Sequence, residues 1–174
     1  MDLSAIEHLQ PTSGRVVMMC GIAGSGKTTY AKVLEARGFV RLSIDEYIWA
    51  QFGRFGVDYP AAQYEELQRI AEEANFQRLG TLVRERVACV IDYSFWSRTK
   101  RQEYRRFVED AGGQVTLLYL HATSEVLRKR LQVRNQTCDA NAAFAIDQKT
   151  LERFIAGFEE PCGDEEAIVV VHDV

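Results

Sequence analysis

The chain has 174 residues, 47% of them hydrophobic and 26% charged, with a formal net charge of −4 and a pI near 5.5. That length and mix suit one domain over 1–174 with a sizeable core. The acidic balance excludes a whole-protein attraction to nucleic acid or to an anionic membrane, although a local basic patch stays compatible with it. Cys20, Cys89, Cys138 and Cys162 form no C-x-x-C pair, so no zinc or redox signature is present. No apolar run approaches membrane-spanning length and no leader pattern is seen. A reduced, cytoplasmic setting is expected.

Residues 1–14 are a polar lead with Pro11 and Gly14, expected to be loosely attached. An apolar run over 15–20 reads as the first strand. It feeds Gly21-Ile22-Ala23-Gly24-Ser25-Gly26-Lys27-Thr28, which fits the Walker A pattern G-x-x-x-x-G-K-[ST] at every required position. Such a loop turns backbone N–H groups inward onto a polyphosphate. Lys27 reaches the β- and γ-phosphates, and the Thr28 hydroxyl holds Mg²⁺. Thr29 follows in a helix over 28–37 closed by Gly38. Strand, glycine loop and helix together set phosphate on a helix N-terminus.

A second strand over 39–44 ends at Asp45, followed by a short helix from about Asp45 to Phe52 and a turn over 53–56. Pro60 opens a long helix to about Arg86. A third strand over 87–91 ends at Asp92, and a helix over 97–111 stops at Gly112. A fourth strand spans 115–120 and ends at His121. Thr123 caps the next helix, to about Arg134. The polar stretch 135–141 breaks the pattern, and a helix over 147–158, a loop and a strand over 167–171 complete the chain. Continuous apolar strands alternating with helices predict an α/β fold with a parallel sheet covered on both faces. In such sheets ligands bind at the carboxyl ends of the strands, where Gly21, Asp45, Asp92 and His121 all fall.

Asp45 and Asp92 are the carboxylates that phosphoryl transfer to a hydroxyl would need, one at the attacking hydroxyl and one near Mg²⁺. Each is also suited to cap a helix or turn. Val126, Leu127, Leu131 and Val133 define an apolar arc of their helix, and Arg130 and Arg134 fall inside it, about 40° apart at about 100° per residue. Inward-facing charge needs a partner, and phosphate suits both. The aromatic residues Tyr47, Trp49, Phe52, Phe55, Tyr59, Tyr93, Phe95 and Trp96 either wall an acceptor pocket or pack loops. Arg98, Lys100, Arg101, Arg105 and Arg106 read as a largely solvated helix face, with Arg98 nearest a substrate.

These motifs resemble the P-loop kinases grouped with the kinase domain of polynucleotide kinase, chloramphenicol phosphotransferase, gluconate kinase and the zeta toxins, and above all the small bacterial proteins labelled AAA-family ATPases. The likeness rests on G-x-x-G-S-G-K-T-T, Leu42-Ser-Ile-Asp45, Val90-Ile-Asp92, Phe95-Trp-Ser-Arg98, and Leu127 with Arg130 and Arg134. The resemblance implies a P-loop three-layer sandwich with a five-stranded sheet ordered 2-3-1-4-5 and a lid over about 134–147. It implies Asp45 as base toward the acceptor, Arg130 and Arg134 as a clamp on the transferring group, and adenine near Pro161 to Asp164. In polynucleotide kinases Thr and Asn follow the aspartate that Asp92 matches. Here Tyr93 and Ser94 follow, so the carry-over stops at Asp92 itself, as a contact either to the acceptor or to Mg²⁺. AAA+ motors place Glu after that aspartate and carry a second helical domain, which this length does not accommodate. The expectation is an ATP- and Mg²⁺-dependent kinase acting on a small-molecule hydroxyl. A nucleic-acid 5′-hydroxyl kinase and a nucleotide-gated binding protein without an acceptor are the alternatives.

Overall fold

The structure is a computed structural model and describes residues 3–136, 140, 144–163, 165 and 167–172. The first strand, β1 (Arg15–Cys20), has no polar face. Val16, Met18 and Cys20 pack into one core cluster and Val17 and Met19 into another. A strand buried on both sides belongs at the centre of a covered parallel sheet. The sheet is five-stranded with order β2-β3-β1-β4-β5, and its pairings are parallel. The other strands are β2 (Val40–Leu42), β3 (Cys89–Ile91), β4 (Gln114–Ala122) and β5 (Ala167–His172).

One face of the sheet is covered by the long α3 (Tyr64–Arg84) and by α4 (Arg98–Asp110), through Leu79, Leu82, Val83, Tyr104 and Val108. The other face is covered by α1 (Lys27–Ala36), through Tyr30, Ala31 and Leu34. The lead is not loose. Ile6, in a short 3-10 turn (Ser4–Ile6), and Leu9 are fully buried in the α1-side cluster. Polar composition concealed two apolar anchors spaced to reach one core. A further cluster joins α2 (Ile44–Phe52) to α3. Another joins α5 (Ser124–Arg134) and α6 (Gln148–Gly157) to Ile22 and Ala23 of the glycine loop.

Element boundaries shift where a side chain caps a helix. Ser43 accepts a hydrogen bond from the Glu46 N–H, so Ile44 and Asp45 join α2 and the strand ends early. The sequence Ser43-Ile-Asp-Glu46 is a capping-box pattern, which places Asp45 in the first helical turn and not at a strand end. Ser97, Thr123 and Asp147 cap α4, α5 and α6 in the same way. Pro60 precedes a short 3-10 turn (Ala61–Gln63), and α3 proper begins at Tyr64. β4 starts one residue earlier and runs two residues further than expected, so His121 lies within it. Cys20 and Cys89 are buried as small hydrophobes. Cys138 and most of 135–141 lie outside the described residues.

Candidate active site

The carboxyl ends of β1, β2 and β3 open into a cavity of about 1030 Å³ that gathers the chemistry-bearing residues in one place. Its lining includes Gly21, Ile22, Ala23, Gly24, Gly26, Lys27, Thr28 and Thr29, together with Asp45, Asp92, Arg130 and Arg134. Ligand pockets run about 300–1,000 Å³, and this one lies at the upper end of that range.

The loop's shape requires its glycines at two points. Gly26 has φ 103 as it enters α1, and Gly21 has φ 140. A Cβ on Gly21 would sit 2.6 Å from the Leu120 carbonyl and 2.8 Å from Ser25 Oγ. Side chains would therefore both strain the backbone and fill the cradle. Ser25 Oγ is buried with no hydrogen-bond partner among the described residues, an orphan polar atom of the kind a bound anion satisfies. Lys27 Nζ folds across the loop and donates to the Ile22 carbonyl at 3.0 Å. Burial pushes its pKa down, while Asp92 nearby pulls it up.

Thr28 donates from Oγ1 to Asp92 Oδ1 at 3.4 Å. A hydroxyl and a carboxylate oxygen side by side are hard donors of the type Mg²⁺ takes alongside phosphate oxygens, so the residues present fit that ion. The second oxygen of Asp92 is occupied. Arg41 Nη2 and Nε donate to Oδ2 at 2.8 and 3.0 Å. Arg41 also reaches Glu46 at 3.2 Å. Its side chain is 5% exposed and that of Asp92 2%. Sequence reading missed Arg41. The signal for it was a charge placed inside an otherwise apolar edge strand.

Asp45 lies deeper than an ordinary helix-start carboxylate. Burial raises its pKa, and a hydrogen bond donated by Tyr64 Oη to Oδ1 at 3.3 Å works in the opposite direction. Arg130 Nη1 reaches back to the Ser25 carbonyl at 3.2 Å, tying α5 to the phosphate loop. Arg134 lines the cavity one turn further on. Their half-burial follows the expected apolar arc through Val126, Leu127 and Leu131, but Val133 is 67% exposed and does not belong to it. Of the segment expected as a lid, residues 137–139 and 141–143 lie outside the described residues. Phe144, Ala145 and Ile146 line the cavity.

The aromatic residues divide. Tyr47, Phe52, Phe55 and Tyr59 pack the α2–α3 cluster, and Phe95 is core. Tyr93 and Trp96 line the cavity, as does Tyr64, whose ring meets both Phe55 and Phe144 at 5.3 Å. Trp96 is 49% exposed and stands edge-on to Phe154. Gln68 and Glu72 continue the α3 wall from Tyr64.

Arg98 opens α4 outside the cavity's described lining, its N–H donating to Glu159. Arg101 corrects the expectation of a solvated basic face. It is 2% exposed and pairs through both Nε and Nη2 with the Glu165 carboxylate at 2.7 and 2.8 Å. It also donates to the carbonyls of Phe95 and Glu159. Of the loop expected to receive adenine, Asp164 lies outside the described residues, and the cavity's described lining reaches Phe158 but not Pro161–Gly163.

A family model described as an AAA domain matches residues 16–161. The chain belongs to that AAA-domain family. Among solved structures, the AAA-domain chain is similar to a candidate kinase of Chloroflexus aurantiacus (TM-score 0.72, 15% identity, covering 92% of this chain and 88% of the other). It is similar to a gluconokinase of Sinorhizobium meliloti (TM-score 0.59, 19% identity, 94% and 84% covered). It is also similar to Kti12 of Chaetomium thermophilum in complex with ADP-AlF3 (TM-score 0.64, 15% identity, 91% and 88% covered). No curated protein matches in sequence. At these identities the likeness carries the fold, which is that of the P-loop kinases. No described helix of this AAA-domain chain is long and apolar enough to cross a membrane.

Proposed function

We propose that the protein is an ATP- and Mg²⁺-dependent phosphotransferase that moves the γ-phosphoryl group to a hydroxyl of a small molecule in the cytoplasm. The observation that carries this reading is that the half-buried Asp45 carboxylate shares one cavity with the phosphate loop and is backed by Tyr64. An ATPase acting on water needs no second carboxylate walled in by aromatic and amide side chains. A kinase needs a group that orients and deprotonates an acceptor.

In this reading the loop N–H groups and Lys27 hold the β- and γ-phosphates. Thr28 and Asp92 would hold Mg²⁺, which would supply charge neutralisation when bound. Arg130 and Arg134 approach from α5 and neutralise charge on the transferring group, and Phe144, Ala145 and Ile146 line the same cavity. Asp45 accepts the proton of the acceptor hydroxyl as its oxygen attacks phosphorus. The bond from phosphorus to the bridging oxygen breaks, and ADP leaves. Tyr64, Gln68, Glu72, Tyr93, Ser94 and Trp96 form the wall against which the acceptor lies, which favours a compact molecule over a polymer end. Arg98 contacts the acceptor only after a rearrangement of the start of α4.

The test is transfer from γ-labelled ATP into a metabolite extract, with Asp45→Asn run in parallel. A labelled small molecule made by the parent and not by the variant supports the reading. Labelled oligonucleotide ends, or ATP binding with no acceptor labelled, favour the two alternatives respectively.

A further inference from the structure

The carboxylate beside Thr28 has only one oxygen at liberty. Arg41 places two N–H groups on Asp92 Oδ2, at 2.8 and 3.0 Å, while Oδ1 faces the Thr28 hydroxyl. Both side chains are almost fully enclosed, so the pair does not relax into solvent as a surface ion pair does. The guanidinium is fixed from its other side by Glu46 at 3.2 Å, and Glu35 stands 3.9 Å away. Both of those carboxylates are half exposed and contribute less.

We propose that Arg41 sets the choice of cation at this site: by holding Oδ2 of Asp92 it leaves a single carboxylate oxygen toward Thr28, which suits Mg²⁺ and disfavours Ca²⁺. The inference rests on the Mg²⁺ reading above. Mg²⁺ demands near-octahedral coordination, keeps several waters and takes carboxylates through single oxygens. Ca²⁺ accepts more ligands, in looser geometry, and takes carboxylates through one oxygen or through two. A carboxylate with one oxygen blocked offers the first mode and not the second. Arg41 is not among the described residues that line the cavity and acts here through Asp92, so it is a positioning residue. Arginine serves here where lysine would not, because its planar fork fixes the carboxylate's rotation as well as its charge.

The experiment measures affinity for a fluorescent ADP analogue in EDTA, in Mg²⁺ and in Ca²⁺, on the full chain. In the parent, Mg²⁺ should tighten nucleotide binding more than Ca²⁺ does; equal effects of the two ions overturn the proposal. Arg41→Gln should leave the affinity in EDTA unchanged. It should raise the Mg²⁺ concentration needed by about tenfold or more, the usual loss when a group orienting a metal ligand is removed. The Ca²⁺ requirement should rise less or fall, so the ratio moves toward Ca²⁺. An unchanged ratio in folded Arg41→Gln leaves Arg41 as a structural ion-pair partner and overturns the proposal.

Should Arg41→Gln fail to fold, Arg41→Lys keeps the charge without the fork and should shift the ratio in the same direction, and an unchanged ratio there overturns the proposal equally. Glu46→Gln, which leaves the Asp92 contact intact, should not move the ratio. A parent protein that binds the analogue no better with either cation than in EDTA refutes the Mg²⁺ reading itself. A parent that responds to Mg²⁺ while the Arg41 variants keep its ratio refutes only this inference.

Discussion

The Tyr64 hydroxyl donates to Oδ1 of Asp45 across 3.3 Å and so joins the first turn of α3 to the first turn of α2. The bond favours the ionised carboxylate, and burial opposes it more strongly, leaving the pKa raised. If Asp45 is the base, the acid limb of kcat lies above the ordinary aspartate value of about 3.9. Tyr64→Phe removes the stabilising bond and should move that limb to higher pH. A limb that stays in place in Tyr64→Phe detaches Tyr64 from the titration.

The same shift has a consequence for stability. A carboxyl whose folded-state pKa is raised contributes stability that is fully present below its unfolded value and lost as pH rises through the folded one. Wherever the Asp45 carboxyl is ionised, its charge is therefore destabilising. Asp45→Asn should raise Tm at pH 7, and the gain should shrink on acidification as the parent carboxyl protonates. It should also abolish transfer while sparing ATP·Mg²⁺ affinity, which calorimetry separates from single-turnover transfer. A large loss of Mg²⁺-nucleotide affinity would reassign Asp45 to the metal.

Lys27→Ala removes the one ammonium folded over the phosphate loop. Transfer should be lost and ATP affinity weakened with the fold intact, as judged by circular dichroism. Undiminished turnover in that variant would contradict the phosphate assignment.

Arg130→Ala and Arg134→Ala should each lower kcat by about 10² or more, the usual effect of deleting a donor aimed at developing charge. Arg130 has a ground-state contact with the Ser25 carbonyl, so its loss should also loosen the loop and weaken nucleotide binding. Variants that melt earlier but turn over normally would make both arginines structural.

Arg101→Met leaves the Glu165 carboxylate enclosed without its main partner. Breaking a buried pair from one side costs about 3–5 kcal/mol, so a marked fall in the urea midpoint is expected. Arg101 holds the Glu165 pKa below the usual carboxylate value. The pair's contribution is therefore present above the unfolded glutamate value and lost as pH falls through the lowered one. A pH-independent loss would implicate packing alone.

The sheet was readable because the strands are largely apolar runs between turn signals, β2 with Arg41 inside it being the exception, and Gly21–Thr28 fixed which strand carries the loop. The start of the Asp45 helix was read one residue late because the strand pattern through Ile44 competes with the Ser43–Glu46 capping box, and the cap wins locally. Arg41 and Arg101 were opaque for a common reason. Charges in a sequence look solvated unless their partners are known, and Asp92 and Glu165 stand 51 and 64 positions away. The arc through Arg130 and Arg134 was legible because helical periodicity is local, and it overreached at Val133, where the helix end leaves the core.

The buried lead has a reach beyond its own packing. Arg37 follows the last turn of α1 and donates from Nη1 to the Ile6 carbonyl at 2.7 Å. The other end of that ten-residue helix is Lys27, about 15 Å away at 1.5 Å per residue. A rigid rod pinned at its tail points its head in one direction only, so the opening residues act as a sighting device for the phosphate loop. Trimming them should blur nucleotide affinity from the far side of the molecule, without touching a single atom that meets the ligand.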